Sequence, residues 1–145
     1  MAPASRGTAL RRLGVARGVA MADYDADGDL DIVITESNRR ARLLKNEGGE
    51  RRSWLQVGLV GRRSNREGIG ARISVSAGGR RQMQEVRSGS SYCSQHDLVQ
   101  HFGLGRQESF DWVEVRWPSG LLERFPGGKA RQLLRLEEGQ GESPP

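Results

Sequence analysis

Cysteine is nearly absent. Cys93 stands alone, so no disulfide can form within the chain, and a lone thiol fits the cytosol and bacterial export equally well. No apolar run approaches the roughly 18 residues of a helical membrane span. The N-terminus is basic (Arg6, Arg11, Arg12, Arg17), but no apolar stretch follows it, so no signal peptide is read there. Histidine and aromatics are scarce, with 2 His and 6% Phe, Trp and Tyr. No set of His or Cys falls at zinc spacing, and no segment carries a convincing helical period.

Glycine and arginine are plentiful. The 20 glycines favour short strands and frequent turns over long helices. Arginine carries almost all of the net charge of +5. The arginines are scattered and few aromatics lie between them, so they read as a solvated surface, and nucleic acid is not an expected partner. Against this trend, five aspartates fall within nine residues, from Asp23 to Asp31.

The chain divides at changes of period and composition. Residues 1–14 show no periodicity and are expected to form a loose lead-in. Gly18–Ala22 reads as a short buried strand. Asp31–Thr35, rich in β-branched residues, reads as a second, and Arg42–Asn46 as a third. The polar segment Glu47–Ser53 marks a boundary. Beyond it the period is two: Leu55, Val57, Leu59; then Ala71, Ile73, Val75, Ala77; then Val113, Val115, Trp117. Each run predicts a strand with one buried and one wet face. Gly78-Gly79 suits a tight hairpin and Trp117-Pro118-Ser119-Gly120 a turn. Further strands are expected near 81–87, 98–104, 121–125 and 132–136. Seven or eight strands and no helix predict an all-β, antiparallel β-sandwich or jelly-roll-like domain over 54–137. The polar tail, 138–145, is expected to be disordered.

The acidic loop reads Asp23-Tyr24-Asp25-Ala26-Asp27-Gly28-Asp29-Leu30-Asp31. Calcium takes six to eight hard oxygen ligands. Alternate positions of a tight loop point inward, so Asp23, Asp25 and Asp27 are expected to converge. Gly28 permits the sharp turn, Asp29 is expected to offer its carbonyl, and Asp31 closes the set. Without a cation such carboxylates repel. Magnesium suits the loop less well, because it demands octahedral geometry and keeps its waters. An EF-hand also begins D-x-D-x-D-G, but it needs a glutamate at loop position twelve, where Ile34 stands, and helices on both flanks. The loop is therefore read as a strand-joining calcium site.

The segment Arg17-Gly18-Val19-Ala20, the D-x-D-x-D-G-D-L-D loop and Ile32-Val33-Ile34 together resemble the last FG-GAP/VCBS-type repeat of a β-propeller. Trp54-Leu55-Gln56-Val57, Ser64–Arg72, Arg87–Tyr92, His101–Gly105 and Val115–Gly120 resemble the ASPIC/UnbV domain of cartilage-acidic-protein-like proteins. The resemblance runs from about Arg17 to Leu136. It implies a partial propeller repeat over 15–48 followed by a β domain, in a protein that is extracellular or exported. It also implies that Asp23, Asp25, Asp27, Asp29 and Asp31 fall on calcium-ligand positions. One repeat cannot bury its own faces, so the chain is expected to be a C-terminal piece of a longer propeller protein, or to complete its sheet with a partner through an open edge.

Three other constellations carry polar or aromatic side chains that could act on a ligand. Ser64–Gly70 is a polar turn in which Asn65 and Arg66 could present donors to a ligand, or simply shape the turn. Cys93, His96 and Asp97 lie close together, but too close along the chain to imply the geometry of a nucleophile, and no enzyme activity is expected. Trp112 is out of phase with Val113 and Val115, so it is expected to face solvent, where it could stack on a sugar. The expected function is a calcium-binding, non-catalytic binding or adhesion-type module with a protein or glycan partner. The alternative is a carbohydrate-binding domain using Trp112 and Asn65.

Overall fold

The computed structural model describes residues 14–144, so the expected lead-in lies, apart from Gly14, outside the described residues. The fold is all-β, and no α-helix occurs among the described residues. The strands are β1 (Ala16–Ala22), β2 (Asp31–Glu36), β3 (Arg42–Leu44), β4 (Ser53–Val60), β5 (Arg72–Ala77), β6 (Arg80–Glu85), β7 (Gln100–Gly105), β8 (Ser109–Arg116), β9 (Leu122–Lys129) and β10 (Gln132–Glu137). A short 3-10 turn, Gly49–Arg51, leads into β4. The strands form three sheets, ordered β1-β2-β3, β10-β4-β7 and β6-β5-β8-β9.

The two C-terminal sheets share one core. Leu55, Val57, Phe102 and Leu136 from one sheet pack in a single cluster with Ile73, Val75, Val113 and Val115 from the other. The period-two pattern is responsible: Ile73 pairs across from Val115 and Val75 across from Val113, so one face of the β5–β8 ladder is a continuous branched-aliphatic surface. Burying each such side chain contributes roughly 1.5–3 kcal/mol. Gln82 and Gln84 on β6 donate to the carbonyls of Gly103 and His101 on β7, stitching the two sheets at one edge. No helix among the described residues is long and apolar enough to cross a membrane.

Four features differ from the sequence expectations. The β10–β4 pair is parallel, so the sheets are mixed rather than wholly antiparallel. Alternation does not report strand direction, because both ladders place side chains with period two. Strand β4 is buried on both faces, Gln56 included, because the N-terminal hairpin covers its outer side. Strand β1 is only half-buried. Among the described residues every buried hydrophobic side chain lies between Leu55 and Leu136, so those residues give the three-stranded sheet no core of its own.

The fourth difference is the tail. Through Glu142 it is tied to the domain: the Glu138 N–H donates to the Val60 carbonyl, and Glu142 pairs with Arg124 through both backbone groups. Glu138 itself is 4% exposed. Its polar sequence is stabilised by hydrogen bonds to distant backbone, which composition cannot reveal.

Candidate metal centre

The loop between β1 and β2 is shaped by its own carboxylates. The Asp23 carboxylate accepts the Asp27 N–H at 3.1 Å and the Gly28 N–H at 2.9 Å. The Asp29 N–H donates to Asp27 at 3.1 Å. These bonds curl the chain around the side of the loop where the acids sit. Ala26 (φ 58°) and Gly28 (φ 95°) take left-handed conformations, which turn the backbone sharply between the aspartates.

Asp23, Asp25 and Asp27 converge, each offering one oxygen within 4.8 Å of the others. Oxygens bound to calcium at 2.3–2.6 Å lie at most about 5 Å apart across the ion, so these three fit a common hard cation. Asp29 and Asp31 do not join that focus with their side chains. Both are buried, at 3% and 2% exposure. Asp31 accepts the Tyr24 N–H at 3.1 Å with one oxygen and the Asn46 N–H at 2.7 Å with the other. Asp29 accepts the Gly49 N–H at 2.9 Å. Their side chains close the base of the loop and fasten it to the β3–β4 connection.

A cation of the chain's own stands at this focus. The Lys45 ammonium pairs with Asp25 and lies 3.9 Å from Asp27. Its hydrogen bond holds the Asp25 carboxyl below the usual carboxylate range. At Asp27 the Asp29 N–H favours the ionised form, but desolvation and the neighbouring Asp29 and Asp25 charges outweigh it, and the carboxyl is raised. Two acids with opposite shifts, sharing one lysine, form a site whose charge is incompletely balanced.

The β domain forms the floor. Gln56 on β4 donates to Asp23 at 2.7 Å. His101 on β7 hydrogen-bonds the Gly28 carbonyl at 2.7 Å. Trp54 stacks on His101 with ring centroids 6.2 Å apart. The Trp54 indole lies so close to Gly28 that a Cβ there would collide with it. The hairpin is held a second time by Met21, whose N–H donates to His96 Nδ1 and whose carbonyl accepts the Asp97 N–H. Sequence reasoning missed Lys45, Gln56 and the cradling roles of Trp54 and His101. The one available signal was Gln56, a polar residue on the non-core phase of an otherwise apolar strand.

The remaining expected ligand residues have local contacts. The Asn65 amide exchanges two hydrogen bonds with the Ile69 backbone, at 2.7 and 2.8 Å, and so shapes its turn. Arg66 is exposed and its carbonyl accepts the Gly61 N–H. Trp112 is half-buried on the outer face of β8, with the Arg124 and Arg81 guanidiniums 4.6 and 5.5 Å from its ring centroid.

Comparison with known proteins gives the chain a family. Mouse cartilage acidic protein 1 is 31% identical over 120 residues, covering 80% of this chain and 18% of that protein. The human protein of the same name is 30% identical over 136 residues, covering 90% of this chain and 20% of that protein. The chain thus spans about a fifth of the length of the curated relatives it matches. The family described as ASPIC and UnbV matches residues 61–143, which take in strands β5 to β10 and the Glu138 tail, and the chain belongs to that family.

Proposed function

We propose that this chain is a calcium-binding, non-catalytic binding or adhesion-type module of an extracellular or exported protein. In this reading β1 to β3 are the last FG-GAP/VCBS-type repeat of a β-propeller, and the two core-sharing sheets are a β-sandwich. The observation that carries the calcium reading is the convergence of Asp23, Asp25 and Asp27 within 4.8 Å on a loop clamped to the β domain. Calcium would be held by these three carboxylates and by backbone carbonyls of the loop. It would supply charge balance and stiffness, not chemistry. Gln56 and His101 orient the loop from below, so ordering the loop also fixes the angle between hairpin and domain. Extracellular placement rests on the family resemblance.

Calcium modules of this kind bind at about 10⁻⁴–10⁻³ M. At about 10 mM calcium the linked stabilisation is roughly 1.4–2.7 kcal/mol, which raises the melting temperature by several degrees. Calorimetric titration should give a saturable calcium heat in the wild type and none in Asp25→Ala. No calcium heat in either protein, with no change in melting temperature, would overturn the reading.

A further inference from the structure

The opposite charge gathers elsewhere on the domain. Three turns meet there: residues 51–53 entering β4, 105–108 between β7 and β8, and 129–131 between β9 and β10. They enclose an open cleft of about 530 Å³, lined by Arg51, Arg52, Arg106, Lys129 and Arg131 against one carboxylate, Glu108. Among the described residues, no carboxylate lies within ion-pair distance of Arg52, Arg106, Lys129 or Arg131. Some arginines elsewhere on the domain do meet acids: Arg62 pairs with Glu137, and Arg81 and Arg124 pair with Glu114. Like charges left unpaired and brought together repel one another unless an anion joins them.

The backbone adds a second observation. Arg131 has φ 61°, a left-handed conformation that suits glycine and strains an arginine. It is held there by its N–H, which donates to the Trp54 carbonyl at 2.7 Å, while its guanidinium reaches the Arg51 carbonyl. The strain sets a cation at the rim. Ser53, 6% exposed, also lines the cleft.

We propose that this cleft binds an extended sulfated polysaccharide. Guanidiniums on three separate turns match anionic groups repeated along a chain, each by charge-assisted, often paired hydrogen bonds. The lining holds no aromatic ring on which a nucleobase could stack. Ala130 is its lone apolar side chain, so it offers no pocket for the hydrophobic anchor of a peptide. The site is separate from the acidic loop and needs no metal.

The test uses the full chain and a labelled heparin octasaccharide at about physiological ionic strength. Polyglutamate and single-stranded DNA of matched charge run in parallel. Removing three cleft cations together (Arg52→Ser, Arg106→Ser, Lys129→Ser) should weaken heparin binding by about tenfold or more. The charge-matched control (Arg40→Ser, Arg63→Ser, Arg135→Ser) should change it by about twofold or less. Arg131→Gly should weaken binding while leaving the melting temperature unchanged or raised, because glycine relieves the strained φ. Equal losses in the two triple variants would reduce the effect to net charge and overturn the proposal. So would absence of heparin binding, or binding of polyglutamate or DNA at least as tight and as sensitive to the cleft triple.

Discussion

Two groups of carboxylates are gathered in this molecule, and they are balanced in different ways. At the C-terminal end, Glu138 Oε2 accepts three backbone N–H groups, from Arg62, Arg63 and Ser64, each at 2.8 Å. Its Oε1 accepts the Ser64 and Ser119 hydroxyls at 2.9 and 2.5 Å. Nearby, Glu123 accepts the N–H groups of Gly139 and Gly141. In the N-terminal loop, Asp23, Asp25 and Asp27 face one another, with a few backbone donors and the half-exposed Lys45 between them. A buried carboxylate saturated by fixed neutral donors needs no counter-ion. Carboxylates that converge on a shared, partly wet focus leave room for one. The comparison explains why only one of two acid-rich regions is a candidate metal centre.

The largest predicted effect breaks the saturated side. Glu138→Ala removes the shared acceptor of three backbone N–H groups at once and unties the tail from the 61–65 turn. The cost should be about 3 kcal/mol or more, read as a fall in the urea midpoint at neutral pH. Asp25→Ala without calcium should cost far less, since it removes an exposed ion pair. If the two variants are equally destabilised, the contrast between the regions is wrong.

Acid titration sharpens the same contrast. Burial alone would raise the Glu138 carboxyl, but the donors from Ser119, Ser64 and Arg62 outweigh it and hold the group at about 2, from an ordinary 4.5. A depressed folded-state value stabilises above the unfolded value. This stabilisation is therefore fully present above about pH 4.5 and is lost as the pH falls towards about 2, a change of roughly 3 kcal/mol. Urea midpoints taken between pH 6 and pH 2 should fall through this window in the wild type. Glu138→Gln should flatten that part of the profile.

Much of the β domain was legible because its signal is local. Alternation in 72–77 and 113–117 marks strands and core faces without knowledge of their partners. The gathering of acids was legible for the same reason: five aspartates lie within nine residues. What stayed hidden was set by groups far apart in sequence. Glu138 is fixed by N–H groups more than seventy positions away, and backbone donors carry no residue signature. The parallel β10–β4 pair and the burial of Gln56 beneath the loop are likewise products of assembly. Lys45 carries no sequence signal that distinguishes it from its strand neighbours, and only the fold turns it towards Asp25.

A smaller effect probes how the loop sits on its floor. Gly28→Ala places an L-residue at φ 95° and drives its Cβ into the Trp54 indole. A cost of about 2 kcal/mol is expected from the strained conformation. His101 should become faster in hydrogen–deuterium exchange as the loop lifts from β7. If the loop holds calcium as proposed, the same substitution should weaken that binding without touching a carboxylate, which separates docking of the loop from ligation.

The smallest effect is the most direct test of how the two regions differ. If a cation belongs among Asp23, Asp25 and Asp27, the Lys45 ammonium is its competitor, since both seek the same oxygens. Lys45→Met should then raise calcium affinity by about two- to fivefold, because the competing pair is exposed and screened. The gain should shrink in high salt, where that pair is already weak. A fall in affinity on losing Lys45 would mean the opposite: that the lysine props the loop open in its binding shape, and that the acids depend on a fixed internal cation much as Glu138 depends on its fixed donors.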